Sequence, residues 1–282
     1  MKHLIWTRIP MLLVLATAIS PLFGQDDNYT FEANNPGEIM ATHDEWENDN
    51  IDFANGFQAI WGTTLDFSPK NTVYLQSLVP NPGAYTPIWD GMYYSSSYEP
   101  FLKFHGLAEG GFQTVVAASQ AFDNQQTTFP YIFSVDMGSG GVIWATPIIT
   151  GDGVEVSDMQ IIQDVAGDFV IAISFQSFLP GAISPGDWSG VALLKLDPGG
   201  GIIFFESVRE LSNIPELFRL TDLEESTISG NYIVAGSYSG NGPREEAFII
   251  EFDQGSGVPV SPLNLYDLTP GPEDHISITD DG

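Results

Sequence analysis

The residues with the clearest chemical potential in this sequence are carboxylates in a glycine-containing segment. Asp152, Glu155 and Asp158 all lie in TGDGVEVSD, which begins at residue 150. Calcium prefers several carboxylate and carbonyl oxygens supplied by flexible segments of this kind. We therefore predict a candidate calcium site at these three residues, although a complete D-x-D-x-D-G loop is absent from the sequence. No other cofactor is expected.

Aromatic residues in turn-rich segments are the candidates for ligand contact. Trp188 lies in GDWSG, where a large ring has no evident core position. It has two interpretations: the ring stacks on a sugar or peptide ligand, or it folds back over the apolar top of its own structural unit. Phe178 and Phe122 lie in similar segments and are predicted as further ligand contacts, although Phe178 favours packing more than Trp188 does.

The sequence assigns no catalytic residue. It contains no G-x-S-x-G, H-E-x-x-H or phosphate-loop motif, and the absence of cysteine excludes thiol nucleophiles and thiolate zinc sites. Glycoside cleavage needs two carboxylates separated by about 5 to 9 Å. With 37 acidic residues in the chain, such a pair stays open as an alternative.

A repeated unit must position these candidates. Turn glycines recur at spacings of 55, 56, 63 and 52 residues, at Gly56, Gly111, Gly167, Gly230 and Gly282. A recurrence of about 50 to 60 residues indicates a repeat architecture in which neighbouring units cover one another's apolar faces.

Each period contains four short segments with the residue pattern of β-strands. One precedes the glycine, an apolar run follows it, a second run ends in aspartate, and a third follows a turn rich in glycine or proline. The aspartates that end the second run are predicted to cap the hairpin backbone; they are Asp136, Asp197 and Asp253. Four antiparallel strands per period make a β-propeller blade. We predict an all-β, β-propeller-like fold with four blades and the start of a fifth, and a β-sandwich is the alternative.

The organisation of the chain follows from these patterns. We predict a signal peptide at 1–24, a flexible lead-in at 25–45 and propeller repeats at 46–282. The predicted repeat units are 46–93, 99–148, 156–208, 216–264 and a partial unit at 273–282. Because the first unit already has its own first strand, we favour a fragment of a longer protein over closure of the ring by the last residues.

The first 24 residues have the features of a cleavable export signal. Lys2 and Arg8 precede a short apolar run, which falls well below the ~20 residues that a membrane-spanning helix needs. We therefore expect a secreted or cell-surface protein with no membrane insertion after cleavage.

The net charge limits the partners. The formal charge is −29, from 8 basic and 37 acidic residues. Such a surface repels phosphate backbones, so nucleic acids and anionic membranes are excluded as partners. The acidity favours solubility, with attraction of divalent cations as the alternative.

The stretch GNYIVAGSYSGNGPREEAFIIEFDQGSG at 230–257, with its counterpart GDFVIAIS followed by GVALLKLDPGGGIIFFESV, resembles a known group. It is similar to the propeller-like repeats of large secreted bacterial proteins associated with type IX secretion. The resemblance covers about residues 46–282 and is strongest in the last three units. It implies a propeller fold and an extracellular destination, but no catalytic residues.

Strand alternation places the long loops of every blade on one face, and binding residues concentrate on such loops. His105 and His275 fall on predicted first strands, which line the channel of a propeller; hydrogen bonding to neighbours is favoured there over a paired catalytic role. From these features we expect a secreted, non-enzymatic module for binding, adhesion or scaffolding, with an extracellular glycan or protein ligand. The alternative is a glycan-active hydrolase or lyase with carboxylates at the channel mouth.

Overall fold

The structure is a computed structural model. It describes residues 49–52, 58–64, 72–81, 84–93, 102–111, 114–122, 128–148, 154–177, 188–211, 217–239, 245–260 and 264–266. The predicted signal peptide, lead-in and partial fifth unit lie outside these residues. The elements within them are sixteen β-strands, and no helix in this part of the chain has the length and hydropathy to cross a membrane.

The chain divides into two compact units, and the strands between residues 18 and 149 belong to one of them. These strands form two four-stranded sheets. The first sheet consists of β1 (Asp49–Asp52), β2 (Gln58–Thr64), β3 (Thr72–Asn81) and β4 (Ala84–Tyr93). The second consists of β5 (Leu102–Gly110), β6 (Thr114–Phe122), β7 (Thr128–Asp136) and β8 (Val142–Pro147).

The strands after residue 150 belong to the other unit and also form two four-stranded sheets. The third sheet consists of β9 (Val154–Gln163), β10 (Phe169–Ser177), β11 (Trp188–Leu196) and β12 (Ile202–Leu211). The fourth consists of β13 (Leu217–Glu225), β14 (Tyr232–Ser239), β15 (Glu245–Phe252) and β16 (Asn264–Tyr266).

Every sheet has the same topology: four antiparallel strands that are hydrogen-bonded in chain order. This confirms the predicted all-β, propeller-like architecture of four-stranded blades. A β-sandwich would instead exchange strands between two facing sheets through Greek-key connections.

Glycines and aspartates at fixed positions in the sequence form the turns between strands. Gly167 and Gly230 adopt φ angles of 88° and 71°, the left-handed region that side chains disfavour. At the next hairpin of three sheets, an aspartate Oδ1 accepts two backbone N–H bonds from the turn, as predicted. These aspartates are Asp136, Asp197 and Asp253.

A β-bulge recurs in the first strand of the second, third and fourth sheets. His105, Ser157 and Thr221 are each skipped in the register with the following strand. A bulge bends a strand and re-aims the neighbouring side chains, and bulges are common beside functional sites.

The third and fourth sheets pack face to face, and we call their contact the seam. Val170, Leu193 and Val208 from the third sheet share one buried apolar cluster with Val234 and Ile250 from the fourth. Because side chains alternate between the faces of a strand, this cluster identifies which face of each sheet lines the seam. We call the end of the seam where β10 and β14 finish the loop end, and the opposite end the turn end.

Polar contacts join β9 and β13, the first strands of the third and fourth sheets. The backbone N–H of Leu220 on β13 donates to Oδ2 of Asp158 on β9 at 3.0 Å. The Ser157 hydroxyl lies 3.5 Å from the carbonyl oxygen of Phe218. The bulge on β9 therefore directs two consecutive polar residues toward the neighbouring sheet.

Candidate functional site

Three polar residues form one register row across the third sheet at the loop end. Glu155 on β9 is opposite Gln176 on β10, and Gln176 is opposite Ser189 on β11. Register partners project from the same face, and the Gln176 amide Nε2 donates to Glu155 Oε2 at 3.3 Å. Ser189 alternates in phase with Leu193, so this row lies on the seam face.

Two aromatic residues lie on the facing surface of the fourth sheet. Phe218 on β13 and Tyr238 on β14 are register partners with ring centroids 4.8 Å apart. Phe248 packs against Phe218 edge to face at 5.3 Å. Both Phe218 and Tyr238 belong to the apolar cluster of the seam. We call Glu155, Gln176, Ser189, Phe218 and Tyr238 the loop-end cluster.

Two hydroxyls of this cluster are buried without a hydrogen bond. They are Ser189 Oγ and Tyr238 OH, in residues that are 1% and 4% exposed. An unsatisfied buried polar group costs about 1 to 3 kcal/mol. Such groups are rare in native proteins, and each one calls for a physical explanation.

The side-chain types of the loop-end cluster suit recognition of a sugar. The carboxylate, amide and hydroxyl groups can bond sugar hydroxyls, while aromatic faces cover the apolar faces of sugar rings. A half-buried carboxylate such as Glu155 can also transfer a proton as a general acid or base. The cluster therefore combines buried aromatic and hydroxyl side chains with one half-buried carboxylate.

A second polar assembly lies at the turn end of the seam. The Lys195 ammonium contacts Asp164 Oδ2 at 2.8 Å and Asp168 Oδ2 at 3.1 Å, and donates to the Tyr232 hydroxyl at 2.9 Å. Tyr232 in turn donates to Asp164 Oδ2 at 2.6 Å. We call these four residues the turn-end network.

Mutual bonding sets the ionisation of the turn-end network. Burial by itself would raise the pKa of Asp164, but hydrogen bonds from Lys195 and Tyr232 outweigh it and hold the pKa below 3.8. Burial would lower the pKa of Lys195, yet its bonds to Asp164, Tyr232 and Asp168 raise it. Burial and the bond to Asp164 raise the pKa of Tyr232.

The turn-end network stabilises the seam instead of binding a ligand. Asp164 and Tyr232 are 5% and 0% exposed, and Asp164 Oδ1 also accepts the backbone N–H groups of Ala166 and Asp168. Its donors and acceptors are thus occupied by one another. No sequence pattern predicts this network, because Lys195 is an isolated lysine in an apolar strand.

The lowered pKa of Asp164 predicts that the protein loses stability in acid. Because the folded-state pKa of Asp164 is lowered, its stabilising contribution is present above about pH 4 and is lost as the pH falls through the folded value. We expect the difference in melting temperature between the wild type and Asp164→Asn to be constant near neutral pH and to shrink below pH ~4. Thermal melts at stepped pH measure it; a difference that persists unchanged at the lowest pH contradicts the prediction.

The predicted calcium ligands have separate roles where the structure describes them. Asp158 is a strand residue, and its carboxylate accepts the backbone N–H groups of Met159 and Leu220. Glu155 is also on β9, so the segment predicted as a loop is strand from Val154 onward, because it pairs with β10. Asp152 lies outside the described residues. No group of three metal-ligating side chains occurs in the described ranges, and calcium binding stays a prediction.

Trp188 and Phe122, two of the predicted ligand contacts, lie on strands and not in loops. Trp188 is the first residue of β11 and pairs with Ser177 and Leu211, so its assignment to a loop is wrong: the ladder extends farther than the turn-rich composition indicates. Phe122 is the last residue of β6, and Phe178 lies outside the described residues. The ligand-binding roles of these three residues stay predictions.

The expected hydrogen bonding of His105 to a neighbouring residue is confirmed. His105 lies at the bulge of β5, and its Nε2 is 2.9 Å from Oε1 of Gln120. His275 lies outside the described residues.

Comparison with protein-family models and with curated proteins finds no match for this chain. Among solved structures, a Penicillium chrysogenum α-L-arabinanase complexed with arabinobiose is 12% identical, with a TM-score of 0.48 over 78% of this chain and 66% of that chain. A protein of unknown function from Dyadobacter fermentans is 11% identical, with a TM-score of 0.49 over 81% and 66%. A PL25 ulvan lyase is 9% identical, with a TM-score of 0.46 over 77% and 54%. This chain thus spans about two thirds of the length of the first two and about half of the third.

These comparisons correct the expected function. The arabinanase and the ulvan lyase are glycan-active enzymes, so the expected non-enzymatic module for binding or adhesion finds no support among these structures. At 9 to 12% identity the likeness concerns the fold and assigns no residue of this chain.

Proposed function

We propose that this chain is a glycan-active protein, a hydrolase or lyase, whose site is the loop-end cluster. The observation that carries the proposal is that the row Glu155–Gln176–Ser189 and the pair Phe218–Tyr238 lie at the same end of the seam, on the surfaces that line it. This arrangement presents polar groups on one side and aromatic rings on the other, the pairing that a sugar ring requires.

Glu155 is the residue to which we assign proton transfer. Its carboxylate is half-buried and oriented by the Gln176 amide, whereas the Asp158 carboxylate is engaged by two backbone N–H groups. A carboxylic acid in this position can protonate a leaving glycosidic oxygen, and a carboxylate can remove a proton in an elimination. Phe218 and Tyr238 would hold the sugar, and Gln176 would hold the carboxylate.

The proposed site of action is extracellular. The predicted signal peptide at 1–24 and the resemblance to secreted bacterial repeat proteins support export, and the net charge of −29 favours solubility.

A substrate screen tests the proposal. The purified chain is incubated with neutral and acidic polysaccharides, and new reducing ends and unsaturated products are measured. Reducing ends without unsaturation indicate a hydrolase, and both together indicate a lyase. Activity must follow the protein through two orthogonal purification steps. A panel without turnover, under conditions where the chain is folded, contradicts the proposal.

A further inference from the structure

We infer that the loop-end cluster selects neutral sugars, and that Ser189 and Tyr238 determine this specificity by hydrogen-bonding sugar hydroxyls. The inference rests on the proposed function and names the substrate class of the same site. Its basis is the pair of buried hydroxyls on facing surfaces of the seam, neither of which has a hydrogen-bond partner among the residues that the structure describes.

Two tyrosines on the same strand and the same face differ in their hydrogen bonding. Tyr232 and Tyr238 both lie on β14 and both belong to the seam cluster. The Tyr232 hydroxyl is bonded to Lys195 and Asp164, whereas the Tyr238 hydroxyl is buried and unsatisfied. Packing by itself would be served as well by phenylalanine at position 238. The hydroxyl has no polar partner among the described residues, and a ligand hydroxyl is the partner that we assign to it.

Two serines of the third sheet differ in the same way. Ser174 and Ser189 project from the same face of the third sheet, because both alternate in phase with seam residues. The Ser174 hydroxyl bonds to Ser157 Oγ at 2.8 Å, but Ser189 Oγ has no partner. Each free hydroxyl can both donate and accept, as sugar hydroxyls do.

The charge of the loop-end cluster distinguishes neutral from anionic sugars. Among the described residues of the loop-end cluster there is a carboxylate but no lysine or arginine. Arg219 lies between the seam residues Phe218 and Leu220 on β13, so alternation places it on the opposite face. A uronate or sulfated sugar beside Glu155 would meet a like charge, and the chain carries a net charge of −29. Neutral sugars avoid this repulsion.

The experiment measures stability and binding in the same four variants of the full chain. Tyr238→Phe and Ser189→Ala remove unsatisfied hydroxyls, and Tyr232→Phe and Ser174→Ala are matched controls that remove bonded ones. We expect the melting temperature to rise by about 2 to 4 °C in the first pair and to fall in the controls. Binding of arabinobiose, xylobiose or cellobiose, measured by calorimetry, should weaken about five- to tenfold in Tyr238→Phe and remain unchanged in Tyr232→Phe.

Several outcomes separate this inference from the proposed function. A melting temperature that falls in Tyr238→Phe as it does in Tyr232→Phe overturns the inference, because the hydroxyl then has a partner in the protein. Tighter binding of digalacturonate than of the neutral disaccharides overturns it as well, while the glycan-active proposal stands. Binding of neutral disaccharides without any turnover supports the inference and contradicts the enzymatic proposal. Failure of every disaccharide to bind overturns both.

Discussion

Replacement of Lys195 by methionine is expected to lower the free energy of unfolding by about 3 to 5 kcal/mol. Methionine keeps the apolar stem but removes the ammonium group that contacts Asp164, Asp168 and Tyr232. The Asp164 side chain is fully buried, so its carboxylate would be left as an uncompensated charge inside the seam. Chemical unfolding followed by fluorescence measures the loss.

A double variant provides the control for this prediction. Lys195→Met combined with Asp164→Asn leaves no unpaired buried charge at that position, so we expect it to recover part of the lost stability. A single variant that loses less than about 1 kcal/mol would show that the network behaves as an exposed surface ion pair does. That result would contradict the structural role assigned to the turn-end network.

Replacement of Glu155 by glutamine is expected to lower kcat by about 10²- to 10⁴-fold on any glycan that the chain cleaves. Glutamine has nearly the same shape but cannot exchange a proton with the substrate. Since the contact with Gln176 is a single long hydrogen bond of 3.3 Å at a half-buried position, we expect little change in melting temperature. Initial rates on the substrate identified by the screen measure the effect.

The control for Glu155 is Glu224→Gln, a half-buried carboxylate on β13 that is outside the loop-end cluster. This variant should retain wild-type kcat. A Glu155→Gln protein with unchanged kcat, or with a raised KM as its sole defect, would mean that Glu155 binds substrate without transferring a proton.

The sequence by itself determined the repeated unit and its turns. Gly167 and Gly230 are where the chain needs a positive φ, and Asp136, Asp197 and Asp253 cap hairpins within their own few residues. These features depend on local backbone geometry, so residue type and spacing predict them. The same pattern predicts that β9 pairs with β10 and β11 with β12, because short turns join these strands.

The predicted strand ends are wrong where strand pairing extends into segments with the composition of turns. Trp188 stands in a glycine- and proline-rich stretch, yet it begins β11 because it continues the ladder with Ser177 and Leu211. The sequence predicts Glu155 as a calcium ligand, and the register of β9 with β10 places it beside Gln176 in the loop-end cluster. The sequence therefore identifies Glu155 as a candidate site residue, but it does not predict which side chains surround its carboxylate.

Tertiary structure decided which residues meet across the seam. Tyr232 and Tyr238 are six positions apart on one strand and look equivalent in sequence. Tyr232 bonds to Lys195 and Asp164, whereas the Tyr238 hydroxyl has no hydrogen-bond partner in the described part of the chain. The physical reason is that a contact between two sheets depends on the register and stacking of both. Residues separated by 37 to 68 positions are brought within hydrogen-bond distance in this way, and no local pattern encodes such a distance.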